Sequence, residues 1–181
     1  MTDADSPDRP HIEHPRLVAC ALLTERHVAA AGWDQPVRLF ALVETAKLIA
    51  AEPALADRLD DTLPGALSAV EQEDLPPTDP LDDFLAWLSW PAEVDGLALA
   101  VERIVVPPEA EAGLPDDPEE AAQALVAHPD RVDVRLFAAV TRDGESTCLL
   151  RQRTHDSDEA VAVGHDIAPG LLTALAATLT E

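Results

Sequence analysis

His155, Asp156 and Asp158 sit close together near the end of the sequence. An imidazole beside two carboxylates has the ligand chemistry of a divalent-metal site. His165-Asp166 repeats the pairing further on. A strand is expected between the two pairs. At about 3.3 Å per residue it holds them roughly 20 Å apart, so only His155, Asp156 and Asp158 can converge on one ion. The competing reading is a polar turn, with Asp166 capping the last helix. His11 and His14 are also spaced for a helical metal site, but they precede Pro15 in a stretch that reads as a flexible tail.

A second group is cationic: Arg103, Arg135, Arg142, Arg151 and Arg153. Arg151 and Arg153 share one parity of a strand. With Arg103, Arg135 and Glu102 they could grip a carboxylate or phosphate. Internal pairing with Glu102, Asp133 and Asp156 is the alternative. Trp87 and Trp90 are spaced to share a helix face, either packed at an edge or presented to a partner. The sequence has no P-loop, G-x-S-x-G, H-E-x-x-H or C-x-x-C motif. No cofactor is expected. A non-enzymatic role is favoured, although sites assembled from distant residues leave no local signature.

These residues need a scaffold, and the length of 181 residues suits one domain over 15–181 behind a tail over 1–14. The net charge is -23, from 35 acidic against 12 basic residues. Such a surface repels nucleic acid and anionic membranes and suits a basic protein partner; a homodimer is the other partner considered. No apolar run has the length of a membrane span, and Met1–Pro10 does not read as a signal peptide, so a cytoplasmic protein is expected. Cys20 and Cys148 lie in apolar patterns without metal-ligand spacing and read as buried, reduced thiols.

The firmest scaffold element is a meander. Val132–Arg142 alternates with period two, Asp143-Gly144 offers a turn, and Ser146–His155 returns. Ala160–Val163 reads as a third strand. A two-residue loop would set Arg142 opposite Glu145, Phe137 opposite Leu150 and Leu136 opposite Arg151. It would put Leu136, Ala138, Val140 and Leu149 on one face, with Phe137, Cys148 and Leu150 on the other. Gly144 should have positive φ.

Upstream, Pro15 opens a helix with an apolar stripe that runs to Gly32. Strands follow at 37–45, 66–73 and 97–106. Thr45, Asp79 and Asp117 read as helix caps, the last two with a first-turn proline behind them. Pro107–Asp116 reads as an acidic loop. Leu171, Leu172, Leu175 and Leu179 form the stripe of a final helix. Val37–Val43 echoes Val134–Val140, either from duplication or from shared strand composition. The order predicts an α+β fold: one domain with a mixed or largely antiparallel sheet that ends in the meander and is covered by helices.

Several stretches together carry a resemblance: WDQPVRLFALVET, LSAVEQEDLP, VERIVVPPEAE, AHPDRVDVRLFAAVTRDGESTCLLRQRTHDSD and DIAPGLLTALAATL. From Pro15 onward the chain resembles a family of uncharacterised actinobacterial proteins of similar length. That resemblance implies one domain of unassigned role and carries no catalytic or binding residue to any position. Two functional readings stay open. One is an adaptor or chaperone-like protein-binding domain using Trp87 and Trp90. The other is a small-molecule or anion binder, with enzymatic activity not excluded, centred on the arginines.

Overall fold

The computed structural model describes residues 13–180, so residues 1–12 of the expected tail, His11 among them, lie outside the described part. Strands β1 (Arg38–Glu44), β2 (Leu67–Gln72), β3 (Gly96–Val105), β4 (Val132–Thr141), β5 (Ser146–Gln152) and β6 (Ala162–Gly164) form one sheet in the order β2-β1-β3-β4-β5-β6. Every pairing is antiparallel. The two strands with echoing sequence, β1 and β4, flank β3 on either side.

Helices cover both faces, which makes the fold α+β. Helix α1 (Pro15–Ala30) lays Leu17, Ala21 and Val28 over Phe40, Ala98, Phe137 and Leu149. Helices α3 (Leu81–Ala86) and α6 (Pro169–Ala177) cover the other face, where Phe84, Leu172, Leu175 and Leu179 meet Leu97, Leu99, Ala138 and Val140. A sheet buried on both sides has no polar parity, which is why β3 and β4 read as near-continuous apolar runs. Small residues at Ala98 and Ala100 of β3 let Phe40 and Phe137 approach across the strand. Their ring centroids are 6.1 Å apart.

The β4–β5 hairpin differs from its sequence-based reading by one residue. Thr141 pairs with Glu145 through a 2.9 Å backbone bond, and Gly144 N–H reaches the Thr141 carbonyl at 3.2 Å. The loop therefore holds Arg142, Asp143 and Gly144, with Gly144 at φ +91° closing it in the left-handed region. The register becomes Phe137 opposite Leu149, Leu136 opposite Leu150 and Arg135 opposite Arg151. A one-residue slip moves a strand's whole side-chain set to the other face. Cys148 accordingly joins Ala138 and Val140, while Leu149 joins Phe137.

Other boundaries shift for local reasons. β5 ends at Gln152 because Arg153–His155 and Asp158–Ala160 curl into single 3-10 turns, and β6 shortens accordingly. Asp79 is not a cap: the Asp79–Pro80 peptide is cis and α3 begins at Leu81 without a side-chain cap. Thr45 is the first residue of α2 (Thr45–Ala51), and its hydroxyl lies 2.8 Å from that of Ser68. Within the expected loop, Pro108–Glu111 makes one turn, α4. Asp117 does cap α5 (Pro118–Ala127), accepting Glu119 and Glu120 N–H at 3.0 Å. Cys20 and Cys148 belong to the cores on opposite faces of the sheet, so they cannot pair, and burial pushes each thiol up to about 11.

Two glycines separate conformational strain from steric conflict. A Cβ on Gly144 meets no atom within 4 Å, so Gly144→Ala should cost about 1 kcal/mol through its positive φ alone. A Cβ on Gly96 would stand 2.4 Å from the Val140 carbonyl oxygen, so Gly96→Ala should cost more, about 2–3 kcal/mol. Urea unfolding of the two variants checks this. Equal losses would contradict it.

Candidate functional site

Helix α1 carries an acidic residue within its apolar stripe. Glu25 follows Ala21 by four positions and precedes Val28 by three, which turns it toward the sheet. It is 2% exposed, and its carboxylate meets the Arg151 guanidinium of β5, 3% exposed, through paired bonds of 2.7 and 2.8 Å. The same guanidinium donates to Asp156 at 3.0 Å and to Asp158 at 2.7 Å. Arg26 closes on Asp158 from α1 at 2.9 Å. Desolvation of the buried pair is costly, and only full hydrogen bonding of the guanidinium offsets it. The Glu25 hydrogen bonds hold the Arg151 pKa above its ordinary value.

Trp33 extends this network toward the surface. Its indole N–H donates to Asp156 at 2.9 Å. Arg135 lies over the ring at 4.5 Å and Arg153 at 5.6 Å from the centroid. Arg135 is buried. It donates from Nη2 to Glu102 at 2.9 Å and to the Gly32 carbonyl, while its buried Nη1 has no hydrogen-bond partner among the described residues. Glu102 also accepts the backbone N–H groups of Asp34 at 2.9 Å and Gln35 at 3.4 Å. Arg153 grips the exposed Asp34 with two bonds of 2.8 Å. The loop after α1 is thereby pinned to the ends of β3 and β5.

Among the arginines singled out in the sequence, Arg135, Arg151 and Arg153 thus share one network and each has a carboxylate partner. Arg103 is exposed, bonds its neighbour's carbonyl at 3.0 Å, and makes no ion pair among the described residues. Arg142 turns to the opposite face and donates to the carbonyls of Trp90, Pro91, Val94 and Leu179. Asp156 and Asp158 do converge, on the Arg151 guanidinium, which stands where a metal cation would. His155 is exposed beside Thr154. Among the described residues no three His, Cys, Asp or Glu side chains are grouped to hold a metal ion. Glu25, Trp33 and Asp34 were missed. The charge within the α1 stripe was the available signal for Glu25, and the other two leave none.

Next to the network a cavity of about 380 Å³ opens between α5 and the ends of β3 and β4. Trp33, Ile104, Leu125, Val126 and Val134 line its apolar part. On the other side of the sheet, Trp87 and Trp90 do not share an environment. Trp90 packs against the core, whereas Trp87 is 87% exposed, because it falls outside the helix face that buries Phe84 and Leu85. A groove of about 320 Å³ between α3 and α6 is lined by Leu85, Ala174 and Ala177, with Asp82 among them, and by Trp87's chain neighbours Ala86 and Leu88, though not by Trp87 itself.

The network sets an acid limit on stability. The hydrogen bond from Trp33, and then Arg151, holds Asp156 below the ordinary 3.8, and the hydrogen bond from Arg151 does the same for Asp158. Carboxylates lowered in the folded state contribute stability that is complete above the ordinary value and lost as pH falls through the folded values. Unfolding free energy should therefore decline below about pH 4. The decline should flatten in the variant carrying both Asp156→Asn and Asp158→Asn, measured by urea titration across pH. An unchanged acid profile in that variant would contradict the assignment.

A protein-family model described as PPA1309-like protein matches residues 17–180. No curated protein and no solved structure matches the chain. The family match begins within α1 and runs past α6, so it takes in the whole sheet, the helices on both faces and the Glu25–Arg151 pair. The chain belongs to the PPA1309-like protein family.

Proposed function

We propose that the protein is a non-enzymatic, cytoplasmic protein-binding domain that docks a partner on its α3–α6 face, with Trp87 as the anchor. The observation that carries this reading is the exposure of Trp87, 87%, in a chain with three tryptophans and no tyrosine. An indole left in water forgoes a large apolar burial, and tryptophan is the residue most enriched where interfaces concentrate their energy. The adjoining groove supports it. Helix α6 has no charged residue from Pro169 to Thr180, although 26% of the chain is charged. Charge depletion at the centre with acids at the rim is how docking patches differ from ordinary surface. The exposed Asp82 and Asp83 supply that rim, and with the net charge of -23 they favour a basic partner over an acidic one.

The network side supports an anion-binding role less well, because three of its arginines already hold carboxylates. No helix among the described residues is long and apolar enough to cross a membrane.

Trp87→Ala should leave unfolding free energy within about 0.5 kcal/mol of the parent, as expected for an exposed side chain. Immobilised parent protein should retain a partner from native lysate that the variant does not. Bound partner should also protect Trp87 from oxidative labelling. A second copy of the chain as the retained species would make the face a homodimer interface. Identical retention by both proteins, or no retained species, would overturn the proposal.

A further inference from the structure

The cavity beside Trp33 points to a second binding function, on the opposite side of the molecule from Trp87. Helix α5 has an apolar stripe at Ala122, Leu125 and Val126, the spacing of one helix face. Such a stripe ordinarily faces a core. Here no residue of α5 is buried, Val126 is 55% exposed, and all three line the cavity. Ile104 and Val134 line it from the sheet. The helix is properly capped by Asp117, so its position over open space is not a frayed end. The volume, about 380 Å³, lies within the range of pockets that hold small molecules.

The charged residues at this cavity are accounted for, with one exception. Arg153 has both terminal nitrogens, Nη1 and Nη2, on Asp34, Glu102 takes three N–H donors, and Asp133 has Arg131 at 3.9 Å. Arg103 has no carboxylate among the described residues, in a chain where acids outnumber bases 35 to 12. A guanidinium matches a carboxylate through paired hydrogen bonds. Asp34, Glu102 and Asp133 around the same cavity repel any anion, a doubly charged phosphate head about twice as strongly as a single carboxylate, so only a monoanion seated directly on Arg103 fits. We infer that the cavity binds a small amphipathic monocarboxylate, its apolar body against the α5 stripe and Ile104, its carboxylate on Arg103.

Octanoate is the probe, with octylamine and octyl phosphate as head-group controls, titrated into the full chain labelled with nitrogen-15. Octanoate should shift the Trp33 indole and the Leu125 amide signals. Its affinity should exceed that of octylamine and of octyl phosphate. Arg103→Met should weaken octanoate on the order of tenfold, the loss of one charge-assisted contact. Leu125→Asp, which places a charge on the wall without touching Arg103, should abolish the shifts. Because Arg103 and Leu125 are not buried, both variants should keep the dispersed spectrum of the folded parent. The inference fails if octanoate shifts nothing at millimolar concentration, if the shifts map to the α3–α6 groove, if all three head groups bind alike, or if Arg103→Met binds as the parent does. Neither variant touches Trp87 or the α3–α6 groove, so the two sites stand or fall separately.

Discussion

The Glu25–Arg151 ion pair, sealed beneath α1, is the contact on which the rest of the structure depends. A helix laid on an apolar sheet can slide or rotate at little cost, because hydrophobic contact is non-directional. A buried carboxylate facing a buried guanidinium cannot. Displacement by a single residue would leave one charge in the core without its partner. Two further ties hold the ends of the same helix. Arg16 reaches Asp143 at 2.6 Å and Glu145 at 2.9 Å on the β4–β5 hairpin tip. At the other end Gln35 bonds the Val28 carbonyl, and both Gln35 and Arg135 bond the carbonyl of Gly32. Polar contacts therefore fix α1 along its whole length, while Phe40, Phe137 and Leu149 belong to the apolar core beneath it.

The opposite face follows another logic. α6 brings only apolar side chains to the sheet, and Arg142 fastens its end through the Leu179 carbonyl. The same guanidinium holds the carbonyls of Trp90, Pro91 and Val94, so one side chain from the hairpin loop organises the segment leading into β3. Among the described residues the outer surface of α3 and α6 has no ion pair of its own. The α1 face has its charges turned inward, and what it offers outward is a cavity at the edge of the network.

Much of the fold was legible because it rests on local rules. Period two marked β4, a turn pair marked the hairpin, and Asp117-Pro118 marked α5. The register was not legible, because Asp143-Gly144 is compatible with both a two-residue and a three-residue loop, and only cross-strand packing decides between them. That single residue decided the site. With Leu136 opposite Arg151 the arginines are scattered. With Arg135 opposite Arg151 they share a face, and carboxylates from α1, β3 and the turn after β5 must come between them. Glu25 lies 126 positions from its partner, and no local pattern conveys that distance. Trp33 and Asp34 belong to a loop whose form depends on Glu102 and Arg153, so their roles appear only once the chain has folded.

The central claim, that Glu25 and Arg151 act as one unit, is tested most directly by a double-mutant cycle of Glu25→Leu and Arg151→Met on unfolding free energy. Glu25→Leu alone should cost about 3–5 kcal/mol, because it strips a buried guanidinium of its principal partner. The double variant should be more stable than that single variant, with a coupling of about 2 kcal/mol or more. Additive effects, within about 0.5 kcal/mol, would show that the two residues act independently and would contradict the claim.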